Sequence, residues 1–187
     1  MNTKQQLVEL SANLLRSKGF DGFSYLDLAR ELGISKASVH HHFPKKQDLG
    51  LALCDWAHDW LIQGLNHFDA KANSDWNRLE RYVQAGIKYT LTDQKMCPLS
   101  AFYSDLHKLS DPMRLSIKKI GQIEIDWIAG VIQSGQDSGE FVEQKDNYAM
   151  AALFVFSCKG SLISARLHGQ DLLHTTMNQF EHILKIN

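Results

Sequence analysis

Cysteine, proline and long apolar runs are scarce in this chain of 187 residues, and each scarcity excludes a class of protein. Three cysteines are an odd number and too few for a disulfide-stapled secreted scaffold. The longest apolar run, Ala149 to Phe156, is too short to span a bilayer, and the N-terminus lacks the apolar segment of a signal peptide. Only three prolines occur, and alternating β-branched runs are absent. We therefore expect an all-α, cytoplasmic protein with no membrane segment.

Residues 23–49, FSYLDLARELGISKASVHHHFPKKQDL, have the spacing of two short helices joined by a tight turn. Ser24 and Asp27 form the pattern of a capping box, which predicts a helix from Tyr25 whose buried face holds Leu26, Leu28, Ala29 and Leu32. Gly33 falls where the chain must turn, with a positive φ expected. Ser35 can then cap a second helix from Lys36 to about Phe43. This arrangement is a helix-turn-helix.

The second helix has one apolar and one polar face. Ile34, Val39 and Phe43 are spaced to point inward. The outward surface then consists of Lys36, Ala37, Ser38, His40 and His41. The major groove of B-DNA, about 12 Å wide, admits one helix with such a surface. The pattern therefore indicates a DNA-reading helix.

At these residues the chain closely resembles the TetR family of bacterial transcriptional regulators. The resemblance is strong over about the first fifty residues and rests on Lys18-Gly19-Phe20, Ser24, Asp27, Ala29, Gly33-Ile34-Ser35-Lys36, His41-His42-Phe43, Lys46 and Asp48-Leu49. It implies a three-helix DNA-binding domain at residues 1–46, a ligand-binding and dimerisation domain at 47–187, and about nine helices. In the family a Tyr usually stands where this chain has His40, so we expect similar docking with a different sequence preference.

Net charge is −1, which by itself does not suggest a nucleic-acid partner. Residues 1–50, however, carry seven Lys and Arg against five Asp and Glu. Lys36, Lys45 and Lys46 flank the reading helix, where they can neutralise phosphates. The residues expected to contact DNA are Ser24, Tyr25, Lys36, Ala37, Ser38, His40, His41, Lys45 and Lys46.

The remaining sequence predicts further helices at Lys45 to about His67, Trp76 to Thr92, Pro98 to His107, Ser110 to about Ser138, Asn147 to His168 and Asp171 to Lys185. The polar segment Asp69 to Asp75 is expected to break the first of these from the second. TetR regulators pair through their last two helices, so the resemblance implies a homodimer. Candidate pairing residues are Ala151, Val155, Leu162, Ala165, Met177, Phe180 and Leu184, although the same stripes would also suit the core of one protomer.

The resemblance also implies an effector pocket, for which aromatic and adaptable side chains are the candidates. They are Trp56, Trp60, Tyr89, Met96, Cys97, Phe102, Tyr103, Trp127 and Phe154, each of which could equally be core. These side chains favour a small apolar effector. Cys97, between Lys95 and Pro98 at a predicted helix start, could react with electrophiles, whereas Cys54 and Cys158 have the pattern of buried residues.

No motif of catalysis or metal binding accompanies these features. His40, His41 and His42 are neighbours on one helix, so their rings splay apart and cannot converge on one ion. We therefore expect no enzyme activity, no metal and no cofactor. The sequence predicts a ligand-responsive repressor, released from a palindromic double-stranded operator by an unidentified small apolar or electrophilic effector. The alternative is a helical small-molecule carrier or enzyme that does not bind DNA.

Overall fold

The computed structural model describes residues 2–186, and within them the chain forms nine α-helices and no strand. They are α1 (Thr3–Lys18), α2 (Tyr25–Leu32), α3 (Lys36–His42), α4 (Lys46–Lys71), α5 (Asp75–Ile87), α6 (Pro98–Ser104), α7 (Asp111–Asp137), α8 (Asn147–His168) and α9 (Asp171–Leu184). A π-helical turn, Lys88–Thr92, continues α5, and a 3₁₀ turn, Leu106–Lys108, follows α6. The predicted all-α class and helix count are confirmed.

Two predicted helix ends were wrong, that of α4 and that of α6. The helix expected to end near His67 runs to Lys71, so only residues 72–74 of the polar segment lie outside helices. Asp69 at its end is held by the indole Nε1 of Trp127 at 3.1 Å and by Arg78 at 3.2 Å. The helix predicted to reach Thr92 does end there, although its last turn, Lys88–Thr92, is π-helical. Helix α6 ends at Ser104 rather than His107.

The chain divides into two compact units. Unit 1 comprises Met1–Leu61 and Met96–Ile120, and unit 2 comprises Ile62–Lys95 and Gly121–Asn187. This division groups residues by their packing and does not test which of them bind DNA. The functional boundary at residues 46 and 47 therefore stays a prediction.

The core of unit 1 forms where α1 to α4 bury their apolar stripes. Leu7 and Leu15 of α1, Leu28 of α2 and Val39 of α3 have no exposed surface, and Leu49 and Leu53 complete the cluster from α4. Each buried side chain of this size contributes about 1.5 to 3 kcal/mol relative to exposure. The short helices α2 and α3 are thereby fixed by packing as well as by their caps.

Unit 2 has its own core, built from α5, α7, α8 and α9. Its members include Leu79, Val83, Ile128, Val131, Ile132, Ala151, Phe154, Val155, Cys158, Leu162, Leu173, Phe180 and Leu184. This core contains five of the seven residues considered for pairing between protomers. Ala165, outside the cluster, is also buried, and Met177 packs against the core partly buried. Their burial within the chain leaves them unavailable to a partner, so their assignment to the dimer surface was wrong.

Helix α8 is long and apolar enough to cross a membrane by length and composition alone. Within its apolar window 44% of the residues are buried inside the chain. The core helices of soluble proteins also meet these criteria of length and composition. The composition of α8 is therefore weak evidence for a membrane-spanning helix.

Candidate nucleic-acid interface

Helix α2 begins at the capping box that the sequence predicts. The Ser24 hydroxyl accepts from the Asp27 backbone N–H at 3.3 Å, and the Asp27 carboxylate accepts from the Ser24 backbone N–H at 2.7 Å. The Ser24 hydroxyl also donates to that carboxylate, at 2.7 Å, and this bond together with the one from the Ser24 backbone N–H holds the pKa of Asp27 below its usual value. Gly33 ends the helix at φ 65°, in the left-handed region that favours glycine. Both local predictions are confirmed.

Helix α3 presents a polar face to solvent. The Ser35 hydroxyl accepts from the Ser38 backbone N–H at 3.1 Å, while Val39 and Phe43 are buried beneath the helix. The exposed side chains are those of Lys36, Ala37, His40 and His41, and Ser38 is half-buried. The predicted orientation of this helix is therefore confirmed, although its contacts with DNA are not thereby tested.

Leu26 lies on the exposed side of α2, and its assignment to the buried face was wrong. The side chain is 45% exposed, because α2 has barely two turns and Tyr25, Leu28 and Ala29 fill its inner side. Leu26 instead borders a groove of about 440 Å³ beside α3. This groove brings together five of the predicted DNA-contact residues, namely Ser24, Tyr25, Lys36, His40 and Lys46.

Tyr25 and Lys46 reach this groove but have their polar atoms engaged within unit 1. The Tyr25 hydroxyl donates to the Phe43 carbonyl at 2.8 Å, and burial raises its pKa to about 12. The Lys46 ammonium donates to the Phe23 carbonyl at 2.5 Å and lies over the Phe23 ring, 4.7 Å from its centroid. Partial burial lowers the pKa of Lys46. Tyr25 thus joins the start of α2 to the end of α3, and Lys46 joins the start of α4 to the residue before the cap of α2.

Lys45 stands apart from this groove with its side chain exposed. Its backbone N–H donates to the Asp48 carboxylate at 2.8 Å, which caps the start of α4. The ammonium is thus presented to solvent immediately after the reading helix. Of the three lysines expected to meet phosphates, Lys36 and Lys45 are exposed and Lys46 is half-buried.

The family model described as bacterial regulatory proteins, tetR family, matches residues 7–53, which contain this helix-turn-helix. A TetR transcriptional regulator from Legionella pneumophila is 26% identical and superposes with a TM-score of 0.87 over 99% of this chain and 98% of that one. The helix-turn-helix of this chain is that of the TetR regulators, and the whole chain shares their fold. Regulators of this family bind DNA and dimerise.

Two further matches are shorter or more distant in sequence. The HTH-type transcriptional regulator CymR of Pseudomonas putida is 27% identical over 93 residues, which are 50% of this chain and 46% of CymR, so the match spans less than half of that relative. The reduced form of E. coli NemR, 17% identical, shares the fold with a TM-score of 0.89 over 100% of this chain and 99% of its own.

The predicted effector residues fall in two groups, one in each unit. In unit 1, Trp56 and Trp60 stack with their centroids 6.3 Å apart, and the Arg16 guanidinium lies 5.6 Å from the Trp60 centroid. Arg16 Nε also donates to the Met96 carbonyl at 3.0 Å, which joins this aromatic pair to the segment containing Cys97. Phe102 is fully buried, and Tyr103 is exposed.

In unit 2 the effector candidates Trp127 and Phe154 belong to an aromatic cluster that also contains Tyr82. The Tyr82 ring lies 6.3 Å from each of them, measured between centroids. Tyr89 is half-buried in the π turn, where its carbonyl accepts from the Lys95 N–H. A separate groove of about 140 Å³ in unit 2, bordered by Trp76, includes none of the predicted effector residues.

A buried ion pair in unit 2 escaped the sequence analysis. The Lys159 ammonium donates to the Glu124 carboxylate, whose other oxygen accepts from the Tyr82 hydroxyl at 2.8 Å. The side chains of Lys159 and Glu124 are 10% and 3% exposed. The position of Lys159 could have predicted such a pair, because Lys159 lies on the same helical stripe as the apolar residues Val155 and Leu162. A charge on that stripe is buried and therefore needs a partner of opposite charge. Sequence alone gave no indication of Glu124.

The three cysteines have different environments. Cys54 and Cys158 are buried, as predicted, and burial raises the pKa of each thiol to about 12. Cys97 is half-buried and immediately precedes Pro98, the first residue of α6. A thiolate is the reactive form of cysteine, so Cys54 and Cys158 are protected at neutral pH.

Proposed function

We propose that this chain is a ligand-responsive transcriptional regulator, acting as a repressor that binds a palindromic operator in the cytoplasm. The observation that carries the proposal is the exposed polar face of α3, held by caps and packing on a helix-turn-helix. Residues 1–46 serve as the DNA-binding domain, and residues 47–187 provide ligand binding and dimerisation. In a dimer two copies of α3 meet two half-sites spaced about one helical turn apart or a similar distance.

The side chains on and beside the exposed face of α3, which we call the reading face, contact two different parts of the DNA. Ala37, Ser38, His40 and His41 face base edges, and Lys36 and Lys45 neutralise phosphates, because their ammonium groups are exposed on either side of that face. Ser24 and Tyr25 position the backbone of α2 beside a phosphate. Lys46 supports this surface from beneath through the Phe23 carbonyl, and its cation adds to the local positive field.

Lys45→Ala and Lys46→Ala are therefore expected to differ. Lys45→Ala should reduce the slope of log Kd against log salt by about one unit, because one phosphate contact is lost. Lys46→Ala should also lower the free energy of unfolding by about 1 to 3 kcal/mol, because a half-buried donor to the Phe23 carbonyl disappears. Salt titrations of DNA binding and urea unfolding would measure these effects. Equal unfolding energies for the two variants would contradict the supporting role of Lys46.

The dimer surface that we propose is a second apolar stripe on α8, which consists of Ala149, Leu153, Phe156, Gly160, Ile163 and Leu167. All six residues are exposed, and their spacing alternates between four and three, as in helices that pair along a seam. A Cβ at Gly160 would meet nothing within 4 Å, so a partner helix has room to approach closely there. Leu172 of α9, 49% exposed, extends the apolar surface to the last helix.

The effector that we propose is small and either apolar or electrophilic. Trp56, Trp60, Met96, Phe102 and Tyr103 in unit 1, and Tyr89, Trp127 and Phe154 in unit 2, offer the apolar contacts that such a ligand needs. Cys97 provides a thiol for an electrophile. Release from DNA requires that the effector bind the two conformations unequally, because equal affinity shifts no population.

A thiol titration separates Cys97 from the two other cysteines. In native protein at about pH 8, a disulfide reagent should modify one thiol per chain quickly and the others only on unfolding, because a pKa of about 12 leaves almost no thiolate at Cys54 or Cys158. Cys97→Ser should remove the fast phase. A fast phase that persists in Cys97→Ser would contradict this assignment.

Capture of sheared genomic DNA by the purified protein, with and without a thiol-reactive electrophile, tests the proposed function. We expect a short palindrome to be enriched. Its release by the electrophile from wild type, but not from Cys97→Ser, would establish covalent sensing, whereas retention would direct the search to non-covalent apolar ligands. If no sequence is enriched, the regulator proposal fails and the carrier or enzyme alternative replaces it.

A further inference from the structure

The His40 ring is held in one orientation by contacts on two sides. Its Nδ1 lies 3.3 Å from the Pro44 carbonyl oxygen, and its edge packs against the Tyr25 ring with 4.8 Å between centroids. A carbonyl oxygen can only accept a hydrogen bond, so Nδ1 carries the proton when the ring is neutral. The other ring nitrogen, Nε2, then has a lone pair and acts as an acceptor. His40 borders the groove beside α3.

We propose that His40 selects bases by hydrogen-bond polarity and that protonation reverses the selection. The neutral ring accepts at Nε2 from an exocyclic amino group, which only adenine and cytosine present in the major groove. The imidazolium keeps its Nδ1–H on the Pro44 carbonyl and gains an Nε2–H, which donates to the O6 or N7 of guanine, the O4 of thymine or the N7 of adenine. Cytosine presents no acceptor in the major groove, so protonation turns it from a favoured base into the excluded one. This inference rests on the proposed DNA-binding function and adds a residue that determines its specificity.

Charged and titratable groups from three elements surround His40. Tyr25 from α2 has its hydroxyl occupied by the Phe43 carbonyl and does not compete for His40. Lys36 and His41 lie on α3 itself, and Lys46 from α4 borders the same groove together with Asp21. Lys36, Lys46 and Asp21 are thus the charged side chains that border the groove with His40, and histidine as a residue type changes its charge between about pH 5 and 8.

Tyrosine, the residue that TetR regulators usually have at this position, supplies a useful contrast. A phenolic hydroxyl both donates and accepts at any pH below about 10. It therefore does not distinguish amino from carbonyl groups by polarity, and its preference does not depend on mild acid. His40→Tyr is accordingly the variant that keeps a ring and a polar tip while removing the proposed switch.

Selection of binding sites from a random duplex library at about pH 8 and about pH 5.5 tests the proposal. At one position in each half-site, wild type should prefer adenine or cytosine by about fivefold at the higher pH, as expected for one net hydrogen bond. At the lower pH it should prefer guanine or thymine over cytosine, because cytosine offers no acceptor. His40→Tyr and His40→Ala should lose both preferences at that position. His58→Ala, a control that removes an exposed histidine of α4 outside the reading face, should retain them.

The preferences for different bases are compared at a single pH. The general gain in DNA affinity that protonated histidines cause therefore cancels. A preference that does not change with pH, or a wild-type preference for guanine or thymine at about pH 8, would overturn the proposal. An equal loss of affinity for all sequences in His40→Ala would assign His40 to a phosphate and overturn it also. If no variant enriches any sequence, the DNA-binding function itself fails, which is a distinguishable result.

Discussion

Phe156→Glu is expected to yield a folded monomer whose affinity for a palindromic operator is about 100-fold or more below that of wild type. Phe156 is 56% exposed at the centre of the second apolar stripe on α8, so a carboxylate there leaves the core of the chain intact. In a dimer, however, two copies would place like charges in an apolar seam. Without the partner, the second reading helix no longer binds at high effective concentration.

Leu115→Glu provides the matched control for this variant. Leu115 is an apolar residue on α7 that is also 56% exposed, but it lies outside the α8 stripe. Sedimentation velocity should show monomers for Phe156→Glu and dimers for Leu115→Glu, with equal unfolding transitions once the concentration dependence of the dimer is removed. A dimer of unchanged stability in Phe156→Glu would place the interface elsewhere.

Glu124→Ala is expected to lower the free energy of unfolding by about 3 to 5 kcal/mol. The variant removes the carboxylate that pairs with Lys159 inside unit 2 and that accepts from the Tyr82 hydroxyl. A buried ammonium without its partner bears the full desolvation penalty, and a cavity forms beside it. Urea unfolding monitored by circular dichroism would measure the loss.

Two comparisons show whether this cost comes from the lost partner. The triple variant Glu124→Leu, Lys159→Met and Tyr82→Phe should recover most of the loss, because replacing a whole buried ion pair with apolar groups is often neutral. Glu181→Ala removes the partner of Lys185 in a half-exposed pair and should cost less than about 1 kcal/mol. A triple variant as unstable as Glu124→Ala would mean that packing volume, and not charge, determines the cost.

Local sequence patterns predicted the helix-turn-helix because the groups that fix it are close in the chain. The Ser24–Asp27 capping box and the left-handed Gly33 each depend on residues within three or four positions. The inward orientation of Val39 follows from helical spacing within a single short helix. Such features need no knowledge of distant partners.

Features that depend on distant partners were predicted less well. Helix α8 has two apolar stripes with helical spacing, and periodicity alone does not say which one faces its own chain. The first stripe, with Ala151 and Val155, packs in the core, whereas the second, with Phe156 and Ile163, is exposed. Lys46 likewise had the position of a phosphate contact, but its ammonium turns toward the Phe23 carbonyl, a partner 23 residues away.

The central claim is that α3 reads DNA, and the most direct test compares DNase footprints of wild type and Ala37→Glu on a genomic fragment captured by the wild-type protein. Ala37 is exposed on the reading face, so the substitution places a negative charge against DNA without disturbing the core. We predict two protected half-sites related by a twofold axis for wild type and no protection for Ala37→Glu at equal concentration. Equal protection by the two proteins would contradict the claim.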